Sequence, residues 1–112
     1  MSSMTFDEYQ KQAEATAQYD TNIPGWVYLT LGLTSESGEV ADKFKKIIRN
    51  KKGVFSEVDK AEIKKELGDV LWYLSMLAKE LGYTFEEVAQ ANLSKLSDRK
   101  VRDVIKSTGD NR

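Results

Sequence analysis

Two pairs of carboxylates share one spacing: Glu36 and Glu39 in SESGEV, and Glu66 and Asp69 in KELGDV. Acidic residues three apart on a helix are surface neighbours. One such pair is ordinary surface charge. Two pairs on facing helices would crowd four carboxylates, which repel one another unless divalent cations neutralise them. The chain has neither histidine nor cysteine. This excludes Ser-His-Asp and Cys-His catalysis, thiolate zinc sites, disulfides and the Glu-x-x-His helices of di-iron bundles. Any metal must be held by oxygen, as magnesium, manganese and calcium are. Magnesium suits carboxylates best where the substrate carries phosphates, because it retains exchangeable positions for them. A cation so held offsets charge on an attacked phosphoryl group and on departing pyrophosphate, so hydrolysis needs no histidine.

The elements that must position these residues are helices. Thr5, with Glu8 three residues on, forms a candidate capping box for a helix reaching about Tyr19. DTNIPG, with the only proline, Pro24, breaks it. A second helix starts near Trp26 and runs to RNKKG, where basic residues suit the helix C-terminus and Gly53 can end it. Ser56 can cap the third, which is ended by Gly82, and Thr84 with Glu87 opens a fourth reaching about Lys100. No strand-like alternation separates them. Short connections predict an all-α fold, an antiparallel bundle of about four helices.

At about 100° per residue, Leu29, Leu33, Val40, Phe44 and Ile47 fall within an arc of roughly 60° on the second helix. Glu36 lies only about 20° outside that arc, while Glu39 lies about 80° from Leu29 along the flank. Glu36 therefore points largely inward and needs a compensating partner, either a lysine such as Lys43 or a metal. On the third helix Ile63, Leu67, Val70, Leu74, Leu77 and Leu81 form the apolar stripe. A stripe beside it carries Glu62, Glu66, Asp69 and Tyr73. If the two helices are antiparallel, Glu36 and Glu39 face Glu66 and Asp69 across a groove.

On the fourth helix Asn92 interrupts the stripe of Phe85, Ala89 and Leu96, as either a satisfied core amide or a ligand contact. Lys95 and Arg99 share its flank, as solvated charges or as phosphate contacts. VLWYLSMLA is apolar nearly all round, and Trp72 stands opposite its own helix's stripe. Tyr73 and Trp72 suit either stacking on a base or packing. A second apolar face in so small a bundle predicts a homodimer or homotetramer whose interface covers Trp72.

With 112 residues, 40% apolar and 31% charged, the chain suits one domain over 1–112, with a core of about 26–100 and a tail of 101–112. Its 17 basic and 18 acidic residues are interspersed, which gives no support to nucleic-acid or anionic-membrane binding. No apolar run is long enough to span a membrane, and MSSMTFDEYQ is no secretory leader, so the expected location is the cytoplasm.

SESGEVADKFKK, KKELGDVLWYLSMLAKELG and TFEEVAQANLSKLSDR together resemble the MazG-like nucleoside triphosphate pyrophosphohydrolases of the all-α NTP pyrophosphatase superfamily. The resemblance implies magnesium-dependent hydrolysis of an NTP or dNTP to the monophosphate and pyrophosphate, as nucleotide-pool housekeeping. Manganese is an alternative cofactor. It implies Glu36, Glu39, Glu66 and Asp69 as metal ligands, and Asn92, Lys95 and Arg99 as substrate contacts. Trp26, Tyr28 and Tyr73 are the candidates for base contact. The terminal GDNR resembles the tail of short relatives and is expected to fold over the site. A narrower dUTP- or dCTP-selective pyrophosphatase is one alternative. A noncatalytic nucleotide-sensing or interaction module is the other.

Overall fold

The structure, a computed structural model, describes residues 3–19, 22–103, 106 and 108–111. Asp20 and Thr21 of the DTNIPG break, Val104, Ile105 and Ser107 of the tail, and Arg112 of GDNR lie outside the described residues. Those described form four helices and no strand: α1 (Phe6–Glu14), α2 (Gly25–Lys51), α3 (Glu57–Glu80) and α4 (Phe85–Val101).

The helix starts follow local chemistry. The Thr5 hydroxyl accepts from the Glu8 N–H, and Ser56 with Asp59 and Thr84 with Glu87 form full capping boxes. Two left-handed residues, Lys52 and Gly53 (φ 53° and 79°), end α2, and both N–H groups donate to the Ile47 carbonyl. Gly82 ends α3 with φ 86°, while the Tyr83 N–H reaches back to the Ala78 carbonyl. α1 stops at Glu14, short of the expected Tyr19. The Thr16 N–H and hydroxyl both bond to the Ala13 carbonyl, closing a turn that competes with further helix.

α2 and α3 are antiparallel, and their contacts form a ladder. Gly25 meets Glu80, Gly32 meets Tyr73, Lys43 pairs with Glu66, and Lys51 pairs with Asp59. The α3 members recur every seven residues, the spacing that keeps one face of a helix along a partner. On α2, Gly25, Gly32, Glu36 and Lys43 share an arc of about 40°, rotated away from the Leu29 to Phe44 stripe. The side of α2 turned toward α3 thus mixes small and charged residues with apolar ones. Leu29, Ile47 and Ile63 are buried as expected, but Phe44, Leu67, Leu74, Leu81 and, on α4, Leu96 are exposed.

α1 and α4 pack on α3 and on each other. Gln10 is the staple: its amide donates to the carbonyls of Ser75 and Tyr83, and its amide oxygen accepts from the Phe85 N–H. Asp7 also accepts from the Glu86 N–H, adding a carboxylate at the α4 N-terminus. Trp72 departs from expectation. It is half-buried against α1, its Nε1 donating to Thr16 Oγ1 at 3.0 Å beside the Ala13, Leu29 and Met76 core. The chain itself provides part of that cover.

Candidate metal centre

The ladder brings three carboxylates together. Oxygens of Glu36, Glu66 and Asp69 all lie within 4.8 Å of one another. Glu36 and Glu66 are half-buried and Asp69 is exposed. The set opens into a cleft of about 370 Å³ lined by Glu36, Asp69, Tyr28, Trp72 and Tyr73, with Thr16 and Gln18 from the segment after α1.

The electrostatics match the crowding. The Glu36 pKa is raised, first by burial, then by the charges of Asp69, Glu66 and Glu39, and by a hydrogen bond with Glu66. The Tyr73 hydroxyl is raised as well, through burial, its hydrogen bond with Tyr28, and the nearby charges of Tyr28, Glu36 and Asp69. Lys43 does not pair with Glu36. Its Nζ stands 3.7 Å from Glu66 Oε1, and neither Glu36 nor Asp69 has an ion-pair partner among the described residues. Three carboxylates facing one lysine leave an excess of negative charge, and every donor is a hard oxygen. That donor set fits a divalent magnesium, manganese or calcium ion.

The other expected site residues distribute differently. Glu39 is exposed and stands outside the converging trio, lining a separate α2–α3 groove with Asp42, Lys43, Asp59 and Glu62. Its charge nonetheless reaches Glu36. Tyr73 and Tyr28 line the cleft, whereas Trp26 is exposed and does not. Asn92 and Lys95 line a different groove, of about 710 Å³, with Tyr83, Val88 and Ala91. Arg99 is buried and bonded to Asp110. α4 does not pack on α2 among the described residues, so one chain does not assemble these α4 side chains with Glu36. Trp72, a stacking or packing candidate in the sequence, lines the cleft, and Thr16 and Gln18 are cleft residues that the sequence did not indicate. Only the return of the chain after α1 reveals them.

The described residues define an all-helical fold with a cluster of three carboxylates where α2 meets α3. Residues 27–102 match the family model described as the MazG nucleotide pyrophosphohydrolase domain. Over 114 residues the chain is 45% identical to the Gene 37 protein of Mycobacterium phage L5, covering 97% of this chain and all of that protein. No solved structure matches. The chain belongs to the MazG nucleotide pyrophosphohydrolase domain family.

Proposed function

We propose that this protein is a magnesium-dependent nucleoside triphosphate pyrophosphohydrolase, acting on an NTP or dNTP. The convergence of Glu36, Glu66 and Asp69 on one point, within a matched pyrophosphohydrolase domain, carries this reading. Those three carboxylates, with Glu39 at the edge, would hold the cation. Magnesium, or manganese in its place, would supply Lewis-acid neutralisation of phosphoryl charge. A carboxylate of the set orients the attacking water. Water adds to phosphorus, the bridging P–O bond between the α and β phosphates breaks, and nucleoside monophosphate and pyrophosphate leave.

The aromatic wall beside the carboxylates supports a nucleotide rather than a bare polyphosphate. Trp72 meets Tyr73 edge-on, with ring centroids 5.0 Å apart, and Thr16 holds the indole in that orientation. Tyr73 stays a neutral phenol, able to donate a hydrogen bond. Asn92, Lys95 and Arg99 supply phosphate or sugar contacts from α4.

A homo-oligomer fits the exposed surface. The chain exposes 8485 Å², against about 6,200 Å² for a compact monomer of this mass. Its radius of gyration is 17.0 Å, where a compact domain of this length has about 13 Å. Leu31, Phe44, Leu67 and Leu93 are among the exposed apolar side chains that a second copy would cover. Association of this kind also offers a route for α4 of one subunit to reach the carboxylates of another.

The test is incubation with each common and modified NTP and dNTP plus magnesium, with detection of monophosphate and pyrophosphate. Both products should appear with at least one nucleotide, in equal amounts. No turnover across the panel would sink the enzyme reading.

A further inference from the structure

Lys95 and Arg99 stand one turn apart on α4, so their side chains leave the same face. The Arg99 side chain is only 5% exposed, a depth guanidinium groups seldom reach without a partner. Its partner is the chain's own tail. Arg99 Nη2 donates to the Asp110 carbonyl oxygen at 2.8 Å and to Asp110 Oδ1 at 3.2 Å, and Lys95 Nζ donates to that same Oδ1 at 3.0 Å. Gly109, with φ 86°, takes the left-handed conformation just before the contact.

Two observations show that the carboxylate does not saturate this pair. Arg99 Nε is buried and has no hydrogen-bond partner among the described residues. The Asp110 side chain is 80% exposed, so the cations grip it from one side while water solvates the rest. A buried guanidinium with a spare donor, beside a lysine that lines an open groove, suits an anion with more oxygens and more charge than one carboxylate. Phosphate groups have both.

The geometry points to a phosphate site on α4 that the chain keeps closed with Asp110, the tail carboxylate acting as an intramolecular competitor that a nucleotide's phosphate must displace. This rests on the reading that Lys95 and Arg99 face substrate phosphate. Displacement is feasible because the Asp110 carboxylate is largely exposed and an entering phosphate takes over its hydrogen bonds to Lys95 and Arg99, while the competitor owes its strength to tethering, which keeps its effective concentration high. The latch therefore weakens phosphate binding by a modest factor rather than abolishing it.

Calorimetric titration of inorganic pyrophosphate into the full chain, without divalent cation and at fixed ionic strength, tests this apart from catalysis. Asp110→Asn should bind pyrophosphate roughly two- to tenfold more tightly than the unaltered chain. In a Lys95→Gln background, pyrophosphate should bind more weakly and the gain from Asp110→Asn should shrink. Unchanged or weaker binding by Asp110→Asn, a gain that persists in full without Lys95, or no detectable pyrophosphate binding by either chain would overturn the latch. Failure of the enzyme reading looks different: no nucleotide is turned over, yet pyrophosphate affinity still responds to Asp110.

Discussion

A Cβ built on Gly32 would stand 2.1 Å from Cε1 of Tyr73, well inside contact distance. The absence of a side chain at Gly32 is thus what lets the Tyr73 ring lie across α2, where it forms one wall of the carboxylate cleft. Tyr73 is held from the other sides by Tyr28, at a ring separation of 6.3 Å, and by Trp72. The ring has little freedom to retreat.

Gly32→Ala should destabilise the protein by about 1–3 kcal/mol through overpacking, even though alanine in a helix interior gains roughly 1 kcal/mol over glycine. Gly38, on the same helix, has nothing within 4 Å of its Cβ position, so Gly38→Ala should show that gain undiminished. Urea unfolding of both variants checks the contrast. Adding Tyr73→Ala to Gly32→Ala should recover stability relative to the sum of the two single changes. Purely additive effects would mean that the ring is not what Gly32 accommodates.

The helix count and most helix ends were legible because their signals are local. Thr5, Ser56, Thr84, Gly53 and Gly82 each act within a few residues, and a sequence displays that directly. The end of α1 at Glu14 is not legible, because the turn at Ala13 and Thr16 leaves the apolar pattern unchanged. Which apolar residues are buried was less legible. The apolar side chains of α2 centre on the Leu29 to Phe44 stripe, but α3 docks on the rotated arc of Gly25, Gly32, Glu36 and Lys43 and leaves Phe44 outside. The seven-residue recurrence of Asp59, Glu66, Tyr73 and Glu80 was the available clue. Glu36 was placed inward by angle alone, whereas the cover of Trp72 by Thr16, 56 residues away, and the grip of Lys95 on Asp110 are tertiary contacts that periodicity does not report.

Asp59 links pH to stability at the turn between α2 and α3. Its carboxylate accepts from Lys51 Nζ at 2.6 Å and from the Ser56 N–H at 2.9 Å, which with the Ser56 hydroxyl lowers its pKa from 3.8 to about 2. The folded chain therefore binds this proton less readily than the unfolded chain. The resulting stabilisation is fully present above the unfolded pKa and is lost as pH falls through the folded one. Asp59→Asn should be less stable than the unaltered chain at pH 6, with the gap closing between about pH 4 and pH 2. Urea midpoints across that range give the measurement. A gap that stays constant down to pH 2 would mean that the charge of Asp59 contributes nothing to the difference.

The carboxylate trio makes opposite predictions with and without cation. In the absence of divalent metal, burial and then the charges of Asp69, Glu66 and Glu39 disfavour ionised Glu36, so Asp69→Asn, which removes one of those charges, should leave thermal stability unchanged or slightly higher. With magnesium the order should reverse. A cation that binds only the folded state stabilises it by about 1.4 kcal/mol at ten times its dissociation constant, which for a domain of this size raises the midpoint by roughly 5–10 °C. Asp69→Asn should lose most of that rise, and Glu36→Gln likewise, because each removes one of three converging ligands. Glu39→Gln should lose less of it, since its carboxylate stands outside the trio and acts on Glu36 through charge. Thermal melts at matched ionic strength, with and without magnesium, separate specific binding from screening. Sodium should not reproduce the shift, and an equal magnesium shift in all four proteins would place the ion elsewhere.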